Sequence, residues 1–310
     1  MKPFVFSAFL LVFISSCVKN IDYDPNAIPE WEGLPPLSPD SGIQFHIEPF
    51  PIPANFEREI FLRKDLNNSE EIYVNKIRSL SRPGTHHFVL STMIETNSFP
   101  LPEPNLMIDQ NNLDGTFNLL SQVNRDFILF EAQNADYTLS LPAGYALRLP
   151  AYMKLLANSH YFNKTDKVRF GEVYCNLYTL PKNQVQQVLE NGVLGNEDFT
   201  LPPNATTTIV TEELFDRTTQ IVLMTPHYHR RGQSFTVQIV GGPNDGQTIL
   251  ESFDYQHPTV GYFIDTPLIL QPGEGLRTIV TYKNDGGSPV SYGVTSEDEM
   301  NYLFYYYFQP

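Results

Sequence analysis

Beyond its first forty residues the chain is a succession of short alternations of apolar and polar side chains, cut by turn residues. A period of two puts successive side chains on opposite faces of a strand. Runs over residues 71–77, 86–94, 127–131, 137–149, 154–162 and 168–180 predict strands, and the only helical signal in the chain, a short one over residues 183–190, closes this first series. Pro83-Gly84, Asp114-Gly115 and Pro142-Ala143-Gly144 supply turns between the strands. A second series covers residues 207–210, 219–224, 234–240, 248–253, 266–270, 276–283 and 302–308, with turns at Gly241-Gly242-Pro243, Asn244-Asp245-Gly246, Pro272-Gly273 and Asp285-Gly286-Gly287. The prediction is an all-β fold of two tandem antiparallel β-sandwich (jelly-roll) domains, residues 42–185 and 186–310. The junction is marked by the predicted helix together with Asn191-Gly192, Gly195-Asn196 and Pro202-Pro203.

The first residues break this pattern. Lys2 precedes an apolar run from Phe4 to Phe13 that is too short to span a bilayer, and Ile14-Ser15-Ser16-Cys17 follows it directly. The arrangement is similar to a bacterial lipobox. Residues 1–16 then read as a lipoprotein signal peptide and Cys17 as the acylated residue; a plain signal peptide that happens to contain a Cys is the other reading. Residues 17–41 are rich in Pro and Asp without apolar periodicity and predict an extended tether. The expected location is the bacterial cell envelope, with membrane contact through the lipid anchor only.

Composition narrows the function. The 310 residues carry a formal net charge of −15 and no basic stripe, which argues against nucleic-acid binding. Twenty-two Phe, 17 Tyr and 25 Pro favour strands and ordered turns over long helices. With Cys17 acylated, Cys175 would have no disulfide partner among the two cysteines.

Candidate chemistry lies in the seven His. His227 and His229 are two apart on a predicted strand, so both imidazoles face one side and could meet one ion; two surface histidines are the bland alternative. His86 and His87 are adjacent, so a flat strand would point them apart. Only a strand end or a bulge brings both to one ion. His160 stands alone in Asn158-Ser159-His160-Tyr161, and Met300 follows Glu297-Asp298-Glu299; a lone His or Met is more often structural. No grouping of carboxylates suggestive of hydrolytic chemistry stands out in the sequence.

Taken in order, Gly84-Thr85-His86-His87-Phe88, Leu141-Pro142-Ala143-Gly144-Tyr145, Ser159-His160-Tyr161, His227-Tyr228-His229-Arg230-Arg231-Gly232 and Ser296-Glu297-Asp298-Glu299-Met300 resemble the copper type II ascorbate-dependent monooxygenases over roughly residues 42–310. The family includes peptidylglycine alpha-hydroxylating and dopamine beta-monooxygenases. The resemblance implies two copper ions per chain. His86, His87 and His160 would hold an electron-relay copper; His227, His229 and Met300 would hold the copper that activates dioxygen and would form the catalytic centre. It further implies an external reductant such as ascorbate, dioxygen, and hydroxylation of a C–H bond in an organic substrate. His46 and His257 have no counterpart. Peptide-hydroxylating members grip a carboxylate with an Arg two residues before the His-x-His pair and a Tyr four residues after the Met. Here those positions are Thr225 and Phe304, so a peptidylglycine substrate is not expected. A non-catalytic copper-binding envelope lipoprotein and a metal-free, glycan-binding double jelly roll are the competing expectations.

Overall fold

The computed structural model describes residues 24, 28–93, 102–109, 128–293 and 297–310. The predicted signal peptide, Cys17, the Asp114-Gly115 turn and Ser296 lie outside the described residues.

The described residues form a chain of strands: β1 (Gly42–Ile52), β2 (Phe56–Asp65), β3 (Ile72–Ser81), β4 (Thr85–Thr92), β5 (Met107–Asp109), β6 (Ile128–Ala132), β7 (Asp136–Ser140), β8 (Tyr145–Leu149), β9 (Lys154–Asn163), β10 (Arg169–Leu180), β11 (Gln187–Gly195), β12 (Thr200–Leu201), β13 (Ala205–Leu214), β14 (Thr219–Tyr228), β15 (Gly232–Val240), β16 (Thr248–Ser252), β17 (Gly261–Tyr262), β18 (Leu268–Leu270), β19 (Gly275–Asn284), β20 (Val290–Ser291) and β21 (Asn301–Phe308). No helix among the described residues is long and apolar enough to cross a membrane.

The sheets stack as two sandwiches. In the first, the five-stranded sheet β5-β2-β9-β4-β6 faces the strands β1-β10-β3-β8. Between them lies an apolar core that includes Phe45, Ile47, Ile60, Phe88, Leu90, Ala157, Val173 and Leu177, all nearly inaccessible. In the second, the four-stranded sheet β13-β19-β15-β16 faces β11-β21-β14 over a core that includes Ile221, Met224, Phe235, Val237, Val280 and Leu303. The residues explain the layering. β13 alternates strictly between half-buried and exposed positions, as an antiparallel strand with one face in water must. Truncating a core ring such as Phe88 to Ala costs about 3–5 kcal/mol.

The two sandwiches are joined by backbone. β11 pairs in parallel with β8 of the first and antiparallel with β21 of the second, so one ten-stranded sheet runs through both. The helix predicted over residues 183–190 does not form. A single short 3-10 turn (Lys182–Gln184) precedes β11, which takes up the remainder. Good helix formers such as Gln187 and Leu189 are overridden by the two sheet neighbours that satisfy their backbone.

The tether expectation is also corrected in part. Residues 28–41 have no strand or helix, yet they lie on the first sandwich rather than standing away from it. Leu34 is buried, the Trp31 ring sits 5.8 Å from that of Tyr174, and Arg82 donates to the Pro29 carbonyl at 2.9 Å.

β9 and β14 decide where chemistry can occur. Both are buried on their two faces. Leu155, Ala157 and Tyr161 of β9 point into the first core, and Met224 and Tyr228 of β14 into the second. His160 on β9 and His227 on β14 point the other way and are buried outside those cores.

Candidate metal centre

The adjacent pair His86-His87 is resolved by a β-bulge. Along the β4–β9 ladder Thr85 pairs with Tyr161 and His87 with His160, so β4 advances two residues while β9 advances one. The extra residue is His86. A bulge re-aims a side chain, and it lets both rings turn to one side. Ring centroids are then 5.2 Å apart for His86 and His87, 5.0 Å for His86 and His160, and 4.8 Å for His87 and His160. One ring nitrogen from each of the three lies within 4.8 Å of the others.

His227 and His229 occupy one face of β14 and its end, with ring centroids 5.4 Å apart. The two sets are not remote. His86 is 6.2 Å from His229 and His87 is 6.0 Å from His227, centroid to centroid. All five imidazoles therefore share one compartment between the sandwiches. Met300, just ahead of β21, lines a cavity together with His87 and His227.

Each ring but that of His86 is fixed through one nitrogen by an oxygen acceptor. His87 Nε2 donates to Asn158 Oδ1 at 2.9 Å, and Asn158 Nδ2 in turn donates to Glu59 Oε1 at 2.9 Å. His160 Nε2 meets Glu57 Oε1 at 2.7 Å. His227 Nδ1 meets Glu131 Oε1 at 2.6 Å. His229 Nδ1 donates to the Asp298 carbonyl at 3.1 Å. An imidazole that donates from one nitrogen carries its lone pair on the other, so the acceptors fix which nitrogen is offered. The first set offers Nδ1 from His87 and His160; the second offers Nε2 from His227 and His229. His86 Nδ1 approaches His87 Nδ1 at 3.0 Å, and His160 Nδ1 is buried with no hydrogen-bond partner. A buried, unpaired lone pair is costly in a folded protein unless something occupies it.

Electrostatics points the same way. Burial, reinforced by the charge of His160, lowers the His86 imidazole to about 3. Burial likewise holds His87 and His229 well below the usual histidine range. These rings are neutral at physiological pH, the form in which an imidazole can ligate a metal. His227 differs: burial would depress it, but the Glu131 charge and hydrogen bond, with help from Glu299, outweigh burial and leave it raised. Glu299 is fully buried and pushed up to about 7 by burial, although the backbone N–H groups of Arg231 and His229 donate to its two oxygens at 2.7 and 3.0 Å. Those two bonds pin the turn that follows the His-x-His pair.

No catalytic carboxylate cluster stands out in the sequence, yet the structure gathers Glu57, Glu59 and Glu131 around the histidines. Glu57 and Glu59 are two apart on one face of β2, and Glu131 arrives from β6. The register of β2 against β9 brings Glu57 and Glu59 there, with Glu59 opposite His160, and the pairing of β6 with β4 brings Glu131. The i, i+2 spacing of Glu57 and Glu59, repeated by Asn158 and His160, was the available signal.

His46 lies elsewhere, and His257 stands outside the five imidazoles, at the surface on the His86 and His229 side. His46 Nε2 contacts Glu172 at 2.8 Å beside the Arg82–Glu172 ion pair, and its ring stacks on Tyr174 at 4.0 Å. His257 pairs with Asp254 on the surface. Thr225 and Phe304 are direct neighbours across the β14–β21 ladder, and the Phe304 ring lies 6.3 Å from that of His227. The cavity there, about 140 Å³, is walled mainly by Phe61, Val89, Leu156, Val193 and Phe304.

A second, more polar cleft opens on the His86 and His229 side, bordered by Lys164, Arg230 and His257. The compartment thus has an apolar approach past His87 and His227 and a polar one past His86 and His229.

No protein-family model matches this chain, and no curated protein sequence does. Among solved structures, the STIV MCP covers 87% of this chain and 98% of its own, at 11% identity and a TM-score of 0.36. The major capsid protein P2 from bacteriophage PM2 covers 82% of this chain and 98% of its own, at 8% identity and a TM-score of 0.29. Neither likeness bears on the histidine compartment, whose chemistry rests on the side chains themselves.

Proposed function

We propose that the chain is a copper-dependent monooxygenase that hydroxylates a C–H bond of a substrate other than a peptidylglycine, using dioxygen and an external one-electron donor such as ascorbate. One observation supports this above the others: five imidazoles converge in one compartment, four of them buried, and each of those four is held by an oxygen acceptor on one nitrogen so that the other is available to a metal. That is how metal-ligating histidines are oriented. His86, His87 and His160 would hold one ion, and His227, His229 and Met300 the other. Imidazole suits several first-row metals, and a thioether beside them favours copper in its reduced state over zinc. Copper bound there would supply one-electron transfer and the reduction of dioxygen.

The chain's own contribution is orientation and shielding. Asn158, Glu57, Glu131 and the Asp298 carbonyl fix the rings. The carboxylates of Glu57, Glu59 and Glu131 offset positive charge brought into a buried site. The apolar wall of Phe61, Leu156, Val193 and Phe304 keeps water from the face of His227 where a C–H bond would be presented.

The test is oxygen consumption by the copper-loaded protein with reductant. It should fall to background in Met300→Ala and His227→Ala while circular dichroism stays native. Tight copper with no reductant-driven oxygen consumption under any substrate would favour a non-catalytic copper-binding role instead.

A further inference from the structure

We propose that Glu131 is a polar contact of the largely apolar cavity: its second carboxylate oxygen accepts a hydrogen bond from a neutral donor, a hydroxyl or an amide N–H, on an otherwise apolar ligand. Calling that ligand the substrate rests on the function proposed above; the binding site stands on its own geometry.

Glu131 uses only half of its carboxylate. Oε1 meets His227 Nδ1 at 2.6 Å and accepts from the Gln133 amide at 3.0 Å. Oε2 is buried and has no hydrogen-bond partner among the described residues. The side chain is 5% exposed, and the residue lines the cavity beside His87, His227 and Met300. A carboxylate oxygen stripped of water and left unpaired is strongly disfavoured, so a donor is expected to fill the position. The donor-bearing side chains in the wall, Ser91, Asn158, Tyr292 and Tyr302, make no hydrogen bond to Oε2.

Charge decides the class of donor. An anionic ligand would meet Glu131 and Glu59, both in the cavity wall. A cationic ligand would lie beside His227 and any ion that His227 holds. A neutral hydroxyl or amide avoids both penalties while still forming a charge-assisted hydrogen bond. Thr225 and Phe304 fit this reading, since neither offers a charge.

Equilibrium dialysis of the full chain with small aromatic probes tests the proposal. In the metal-free protein benzyl alcohol should bind about tenfold or more tightly than toluene, the effect of one hydrogen bond to a charged group. Benzoate should bind more weakly than either. In the copper-loaded protein benzyl alcohol should also outbind benzylamine. Glu131→Gln can keep its amide oxygen on His227 Nδ1 and turn its NH2 toward the cavity. The alcohol preference should then shrink severalfold and binding of the acceptor acetophenone should rise. Equal binding of benzyl alcohol and toluene, an alcohol preference that survives in a natively folded Glu131→Gln, or tighter binding of benzylamine by the copper-loaded protein would each overturn the proposal. The metal-free measurements require neither copper nor turnover, so they fail or succeed independently of the proposed monooxygenase activity.

Discussion

Glu131 on β6 and His227 on β14 come from opposite halves of the chain and meet at 2.6 Å inside the protein. The contact ties the orientation of a candidate ligand in the second sandwich to a strand of the first. His87 and His227, with ring centroids 6.0 Å apart, repeat the theme. The shared compartment is therefore a property of the packed pair of sandwiches, although each ligand set comes from one half.

Removing one ligand should separate the two sets. His160→Ala is expected to lose the ion held with His86 and His87 and to keep the ion held by His227 and His229. Metal analysis of the purified variant, with circular dichroism as a fold control, checks this. Loss of both ions from a natively folded variant would show that the sets are not independent.

The Arg82–Glu172 pair is a structural counterpart to the site. Arg82 Nε reaches Glu172 Oε2 at 2.7 Å and His46 Nε2 reaches the other oxygen at 2.8 Å, with only 5% of the Glu172 side chain exposed. Glu172→Ala would leave the Arg82 guanidinium buried without its counter-charge. Chemical denaturation should show a loss of about 3–5 kcal/mol. Metal content of the folded fraction should not change.

Cys175 is fully buried in the first core, and burial pushes its thiol far above the usual range. A thiolate is the reactive form, so the native protein should resist a thiol reagent at pH 8 and react promptly once unfolded in guanidinium. Rapid labelling of the native protein would contradict the packing described for β10.

Thr225 and Phe304 stand next to His227 without a positive charge. Glycine-extended peptides should consequently be poor substrates, with kcat/KM lower by about 100-fold or more than for a neutral substrate of similar size, the cost of an unpaired carboxylate. Competition assays with both substrate types would measure the ratio.

Much of this was legible in the sequence because it depends on local periodicity. The i, i+2 spacing of His227 and His229 placed them together, and the bulge required to unite His86 with His87 is present at Thr85/His87. The all-β layering followed from alternation with turn residues. What failed was non-local. Residues 183–190 read as a helix because their preference is helical, whereas β8 and β21 hold residues 187–190 in a strand. The carboxylates were invisible as a group, since Glu57, Glu59 and Glu131 meet the histidines only through the pairing of β2 with β9 and the packing of β6 against β14. The closeness of the two histidine sets is likewise set by how the sandwiches pack, which no spacing along the chain reports.

Copper content is the most direct test of the central claim. The protein, reconstituted with copper and stripped of loosely held metal, should retain one tightly bound ion per histidine set, with imidazole nitrogen in the coordination sphere by X-ray absorption. Retention of no copper by the natively folded protein would contradict the account.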